Sequence, residues 1–230
     1  MGLIPNRKTY DQSQHHLTMK STRVLTTMLL APLAVLCLLA LPVVAADAPA
    51  LLNEMRTLHQ QRKWTEFMQR YASESFATWA PEAAREALQI RGQIYSFTKH
   101  GKHAEADLQA ALKLAPHGTD IMLLLADNYV NNLNDDAKAI SAYQQALANT
   151  GTNQGWQPLT ATVGLARLFT DQVKLDVALE VLKPYGDLSQ LPNTWRIKLL
   201  RAYGHIYAAQ GKETESLAKF REALRLDSQP

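Results

Sequence analysis

Cysteine is almost missing from this chain. The single one, Cys37, lies inside an apolar run. The rest therefore has no disulfide, no thiolate nucleophile and no cysteine metal site. Scarcity of thiols suits an oxidising compartment without requiring one. Aromatic residues make up only 7%, and glycine and proline stand at 10 each in 230 residues, mostly between periodic segments. With Ala and Leu dominant, this composition favours helices over sheets. A hydrophobic content of 47% supplies a core, and 20% charge argues against disorder.

A basic surface is also lacking once the charges are located. The net charge is +3, but residues 1–46 hold Arg7, Lys8, Lys20 and Arg23 against Asp11 alone. Residues 47–230 carry acids and bases in equal number. No basic footprint is left to attract phosphate backbones, so nucleic acid is excluded as an expected partner.

The signatures of catalysis are missing as well: no glycine-rich phosphate loop, no G-x-S-x-G elbow, no H-E-x-x-H helix. His100 and His103 flank Gly101-Lys102 at a metal-like spacing, but no Cys or nearby carboxylate completes a ligand set. A solvated turn between helices is the expected setting. Asp135-Asp136 and the pair Glu213 and Glu215 are read as acids in turns or on exposed helix starts, where the helix dipole favours them. The expectation is a protein that is not an enzyme and uses no metal or cofactor; an accessory subunit or domain of an envelope enzyme is the lesser alternative.

One long apolar run is present. Val24 to Ala46 is uncharged, preceded by Lys20 and Arg23 and closed by Pro42-Val43-Val44-Ala45-Ala46. A basic start, an apolar middle and small residues at the end describe a secretory signal, with cleavage expected after Ala46. An uncleaved anchor is the alternative, since the run is long enough to span a bilayer, though Pro32 and Pro42 weaken it. Either way the basic flank keeps the N-terminus inside and the remainder outside. The expected location is the bacterial periplasm, with membrane contact only through this segment if it is retained. Residues before Cys37 lack the small side chain of a lipoprotein site, and Met19 opens a better-shaped leader than Met1.

Beyond the leader the sequence repeats itself. Leu200, Tyr203-Gly204 and Tyr207 are followed by Gly211, Ser216, Phe220, Ala223 and Leu224. Upstream, Leu88, Gly92 and Tyr95 lead to Ala104, Leu108, Ala111 and Pro116; Met122, Leu125-Ala126 and Tyr129 lead to Ala139, Tyr143 and Ala146. A further copy reads Leu165-Ala166 and Phe169, then Ala178 and Leu182, and a degenerate one has Leu51, Met55 and Leu58, then Trp64, Phe67 and Tyr71. Small residues at the first and second helix of each unit allow close approach, and large ones a turn away fill the space between units.

These phased positions resemble the tetratricopeptide repeat, W-x2-L-G-x2-Y then A-x3-F then A, with its period of about 34 residues. The resemblance implies an all-α solenoid of about five antiparallel helix hairpins in a right-handed superhelix. Its frames are 85–118, 119–153, 159–192 and 197–230, with a degenerate hairpin over 47–84. Pro184 should end one second helix early. One extra residue is expected in the turn near Asn134-Asp135-Asp136, and extra residues at Gly155–Pro158 and Pro192–Trp195 should make two irregular joints between hairpins.

A groove lined by first helices is also implied, with Arg56, His59, Gln89, Gln93, Asp127, Asn131, Arg167, Lys198, Arg201 and His205 at outward positions. The last four form a basic cluster expected to take an acidic segment or a C-terminal carboxylate of a protein partner. The chain ends without an extra polar helix, so Leu217, Phe220 and Leu224 are expected to form an exposed apolar stripe suited to self-association or a partner helix.

Overall fold

In the computed structural model, residues 47–150 and 155–228 are described; the leader, its cleavage point and the start at Met19 lie outside them. The described residues form ten α-helices and no strand. They are α1 (Ala48–Gln60), α2 (Trp64–Tyr71), α3 (Pro81–Phe97), α4 (Gly101–Leu114) and α5 (Thr119–Asn128). After these come α6 (Asp136–Thr150), α7 (Trp156–Asp171), α8 (Leu175–Leu182), α9 (Asn193–Ala209) and α10 (Glu213–Asp227). Consecutive odd and even helices pair as hairpins, and each first helix also touches the first helix of the next hairpin. This is the all-α hairpin solenoid expected from the repeats.

Every hairpin turns by the same device. One residue between the helices adopts positive φ: Arg62 (55°), Lys99 (65°), Asn134 (51°), Val173 (58°) and Gly211 (73°). The next N–H then donates back to a carbonyl near the end of the first helix. Lys63 bonds Leu58 (3.0 Å), His100 bonds Tyr95 (2.8 Å), Lys174 bonds Phe169 (2.8 Å) and Lys212 bonds Tyr207 (2.9 Å). This left-handed closure satisfies carbonyls that a helix end leaves bare. The repeated aromatic of the sequence therefore marks the carbonyl on which most of these turns close.

The third hairpin carries its extra residue inside the helix and not in the turn. Tyr129–Leu133 is a π-helical turn, and the closing bond, Asp135 N–H to Tyr129 O at 3.0 Å, spans one residue more than its counterparts. An insertion in a helix is absorbed this way when both flanking faces must stay in register. Asp135 accepts a bond from the Lys138 N–H at 3.0 Å, and Asp136, Glu213 and Glu215 occupy first helical turns.

Pro184 behaves as its chemistry requires: α8 stops at Leu182 and Lys183–Tyr185 continues as a 3-10 turn. The other two joints differ from expectation. Trp156, Gln157 and Pro158 form the first turn of α7, and Asn193, Thr194 and Trp195 the first turn of α9. Proline is tolerated in a first turn because that N–H has no helical partner.

The small residues sit where close approach demands them. Ala104, Ala126, Ala139, Ala166 and Ala178 are fully buried. A Cβ at Gly92 would lie 2.8 Å from Leu108, and one at Gly204 would lie 2.8 Å from the Phe220 ring. Ser216 uses the proximity, donating to the Gly204 carbonyl at 2.9 Å.

The core runs in two main parts that meet at Leu88 of α3. Near that seam Arg91 pairs with Asp107 at 2.7 and 2.8 Å and donates to the carbonyls of Tyr71 (3.1 Å) and Glu74 (2.6 Å). Its guanidinium also lies 4.6 Å from the Phe76 ring centre. One side chain thus pins the link between the first two hairpins.

Candidate binding groove

Five clefts among the described residues lie along the first helices. At one end, α7 and α9 enclose about 440 Å³ between Val163, Arg167, Thr170, Asp171, Lys198, Arg201, Ala202 and His205. The four basic residues expected to cluster, Arg167, Lys198, Arg201 and His205, all line this cleft. Helical spacing is the cause: Lys198, Arg201 and His205 recur at three and four residues on α9, and Arg167 faces them from α7. Arg167 and Lys198 have no ion-pair partner among the described residues, while Arg201 lies 3.6 Å from Asp227. Lys198 sits 4.2 Å above the Trp195 ring.

The adjoining cleft, about 320 Å³, shares Val163, Arg167 and Lys198 and adds Asp127, Tyr143, Thr160, Gly164 and Trp195. Asp127 accepts a short hydrogen bond from the Tyr143 hydroxyl. Burial raises the Asp127 carboxyl above its ordinary pKa, against the opposing pull of Tyr143, Arg167 and Lys198. Burial likewise raises Tyr143. A Cβ on Gly164 would meet the Tyr143 ring at 2.4 Å, so this glycine is what admits the tyrosine to the groove.

Towards α1 the groove becomes internally neutralised. Arg56 clamps Glu86 through two bonds of 2.6 and 2.7 Å, and Gln89 donates to Asp120 at 2.6 Å. Gln93 borders three successive clefts, one of them shared with Asn131, Lys99 and Phe97. Gln93 and Asn131 therefore lie in the groove, apart from the basic cluster.

The apolar stripe on α10 is narrower than expected. Leu217 and Leu224 are 51% and 62% exposed, but Phe220 is half-buried. Its ring packs against Gly204 and stands edge-on to His205 at 5.1 Å, because its position on α10 turns it towards α9. Phe220 thus braces the basic cluster.

His100 and His103 both lie against Tyr95, at 5.9 and 5.1 Å, and His100 Nδ1 is 3.0 Å from the Thr98 hydroxyl. Among the described residues no three His, Cys, Asp or Glu side chains gather as metal ligands. No described helix is long and apolar enough to cross a membrane.

Composition and phase did not single out Trp64, Phe97, Tyr143 or Trp195 as groove residues. The available signal was an aromatic displaced from the repeated positions, as Phe97 is, two residues after Tyr95.

Residues 86–117, almost wholly the α3–α4 hairpin, match the tetratricopeptide repeat family model. No curated protein matches the chain. Among solved structures the chain resembles MamA MSR-1 at 18% identity, covering 79% of this chain and 95% of that one, with a TM-score of 0.57. MamA AMB-1 is similar at 19% identity, 76% and 96% coverage and the same TM-score of 0.57. BtubC (BKLC) from P. vanneervenii is similar at 17% identity, 80% and 82% coverage and a TM-score of 0.57. At such identities the likeness is one of fold.

Proposed function

We propose that this protein is a non-catalytic, exported scaffold whose groove holds an acidic segment or the C-terminal carboxylate of a protein partner. The observation that carries this reading is the convergence of Arg167, Lys198, Arg201 and His205 on one cleft, two of them without ionic partners among the described residues. Cations lining a concave, partly desolvated surface gain from a carboxylate through charge-assisted hydrogen bonds. The uncharged run Val24–Ala46 supports export to the periplasm, with a retained anchor as the alternative. The cellular role that fits is assembly of an envelope or secretion complex.

The direct test is fluorescence anisotropy with a labelled glutamate-rich peptide. Lys198→Glu with Arg201→Glu should weaken binding by about tenfold or more, and added salt should weaken the parent protein likewise. Unchanged binding in the double variant refutes the groove reading. Mass analysis of the mature protein decides whether residues 1–46 are kept.

The exposure of Leu217 and Leu224 supports a second contact, self-association through α10. A concentration-independent monomer by sedimentation removes it.

A further inference from the structure

The opposite end of the groove is aromatic. Phe97 in the last turn of α3 is 55% exposed, and its ring forms a wall of two neighbouring clefts. The larger, about 590 Å³, is also bordered by His59, Trp64 and Gln93. Trp64 lies 5.7 Å from Phe97 on one side and 5.7 Å from His59 on the other, so three rings form one continuous face.

Two further observations point to a ligand. His59 Nε2 is shielded from solvent and makes no hydrogen bond of normal geometry, Gln93 being a side chain placed to bond it. Burial holds the imidazole below its ordinary pKa, against a weaker opposing pull from Gln93, hence neutral at pH 7. Two cations flank the rings: Arg62 borders the larger cleft, and Lys99 borders the second. Both stand at the positive-φ positions of their hairpin turns, and neither has an ion-pair partner among the described residues. A basic partner segment is repelled here, and an uncharged apolar one leaves both cations unused.

We propose that this end binds an aromatic or large apolar side chain flanked by carboxylates, on the same acidic segment that meets the basic cleft. The inference rests on the groove reading and extends it to a two-point recognition. The ring of the partner covers Phe97 and Trp64, and its neighbouring carboxylates face Arg62 and Lys99. From the α1–α3 cleft to the α7–α9 cleft is three helix-to-helix steps of about 8–10 Å. An extended chain at about 3.3 Å per residue covers that distance in about eight residues. The anchor therefore lies about eight residues from the carboxylates that meet Arg201.

The test uses the full chain and two fluorescein-labelled 14-residue glutamate–serine peptides, differing only in one Phe or Ala near an end and made in both orientations. Burial of a phenyl ring against exposed rings is expected to favour the Phe peptide by about tenfold or more. Phe97→Ala should abolish that preference and leave the Ala peptide unaffected, since Phe97 is surface-exposed and its removal spares the fold. Lys198→Glu with Arg201→Glu should weaken both peptides equally. Equal binding of the Phe and Ala peptides by the parent protein overturns the aromatic anchor while the groove stands. Undiminished binding of both peptides by the charge-reversed variant, or no binding of either peptide at all, overturns the groove and the anchor with it.

Discussion

Replacing Arg91 with Met should release the first hairpin from the rest of the array. Arg91 and Asp107 are each only 11% exposed, so the change strands a carboxylate in a low-dielectric setting. Removing one partner of such a pair costs about 3–5 kcal/mol, much of it the unpaired charge left behind. The Glu74 carbonyl loses its donor, the Tyr71 carbonyl keeps only the Glu74 N–H at 3.2 Å, and the Phe76 ring loses its cation. For a chain of this length about 1 kcal/mol moves Tm by roughly 2–4 °C, so the expected fall is about 6–20 °C. Thermal and urea melts by circular dichroism measure it. Because repeat arrays are held by neighbour contacts, amide exchange should show α1 and α2 losing protection before α5–α10. Adding Asp107→Leu removes the stranded charge and should recover most of the loss, leaving about 1–2 kcal/mol, chiefly for the Glu74 carbonyl. A single variant costing under about 1 kcal/mol, or a double no more stable than the single, refutes the reasoning.

Four other outcomes are expected. Val173→Asn should stabilise by about 1 kcal/mol in urea melts, since Val173 is exposed at positive φ, where a β-branched side chain is strained and Asn is not. Gly164→Ala should destabilise by about 1–3 kcal/mol despite the better helix propensity of alanine, because its methyl meets the Tyr143 ring; a gain in urea midpoint contradicts the packing. Asn128→Leu removes a fully buried amide that donates to Gly101 O at 2.9 Å and accepts from Asn132, and should cost about 1–3 kcal/mol by the same measurement. Asp127→Asn should raise Tm at pH 7 and tighten binding of an acidic peptide about two- to fivefold. The sign follows from a folded pKa above the ordinary value: the ionised form is penalised at neutral pH, and the penalty fades as pH falls through the raised pKa. The Tm advantage of the Asn variant should therefore shrink towards pH 4, and a constant advantage argues against it.

Much of the architecture was legible in local chemistry. Helix formation, hairpin phase and the small–large alternation are properties of residues three and four apart, which a linear chain displays directly. The early stop at Pro184 was equally local. The turns were legible only in part. Gly211 and Asn134 are residue types suited to positive φ, but Arg62, Lys99 and Val173 are not, and packing of the paired helices holds them there. The added residue of the third hairpin pointed to a looser turn, whereas keeping both helix faces buried placed it in a π turn.

The groove divides the same way. Lys198, Arg201 and His205 share one face of α9 by spacing alone, so their grouping was determined by the sequence. Arg167 was placed with them by the repeat frame. That Asp127 and Tyr143 are buried beside the cluster, and that Phe220 supports His205 from behind, were decided by the stacking of α5, α6, α7, α9 and α10. The aromatic end was decided wholly by tertiary structure. His59, Trp64 and Phe97 come from three helices, and no periodicity within one segment encodes the meeting of side chains across hairpins. Sequence period fixes which face a residue occupies; only packing fixes what stands opposite it.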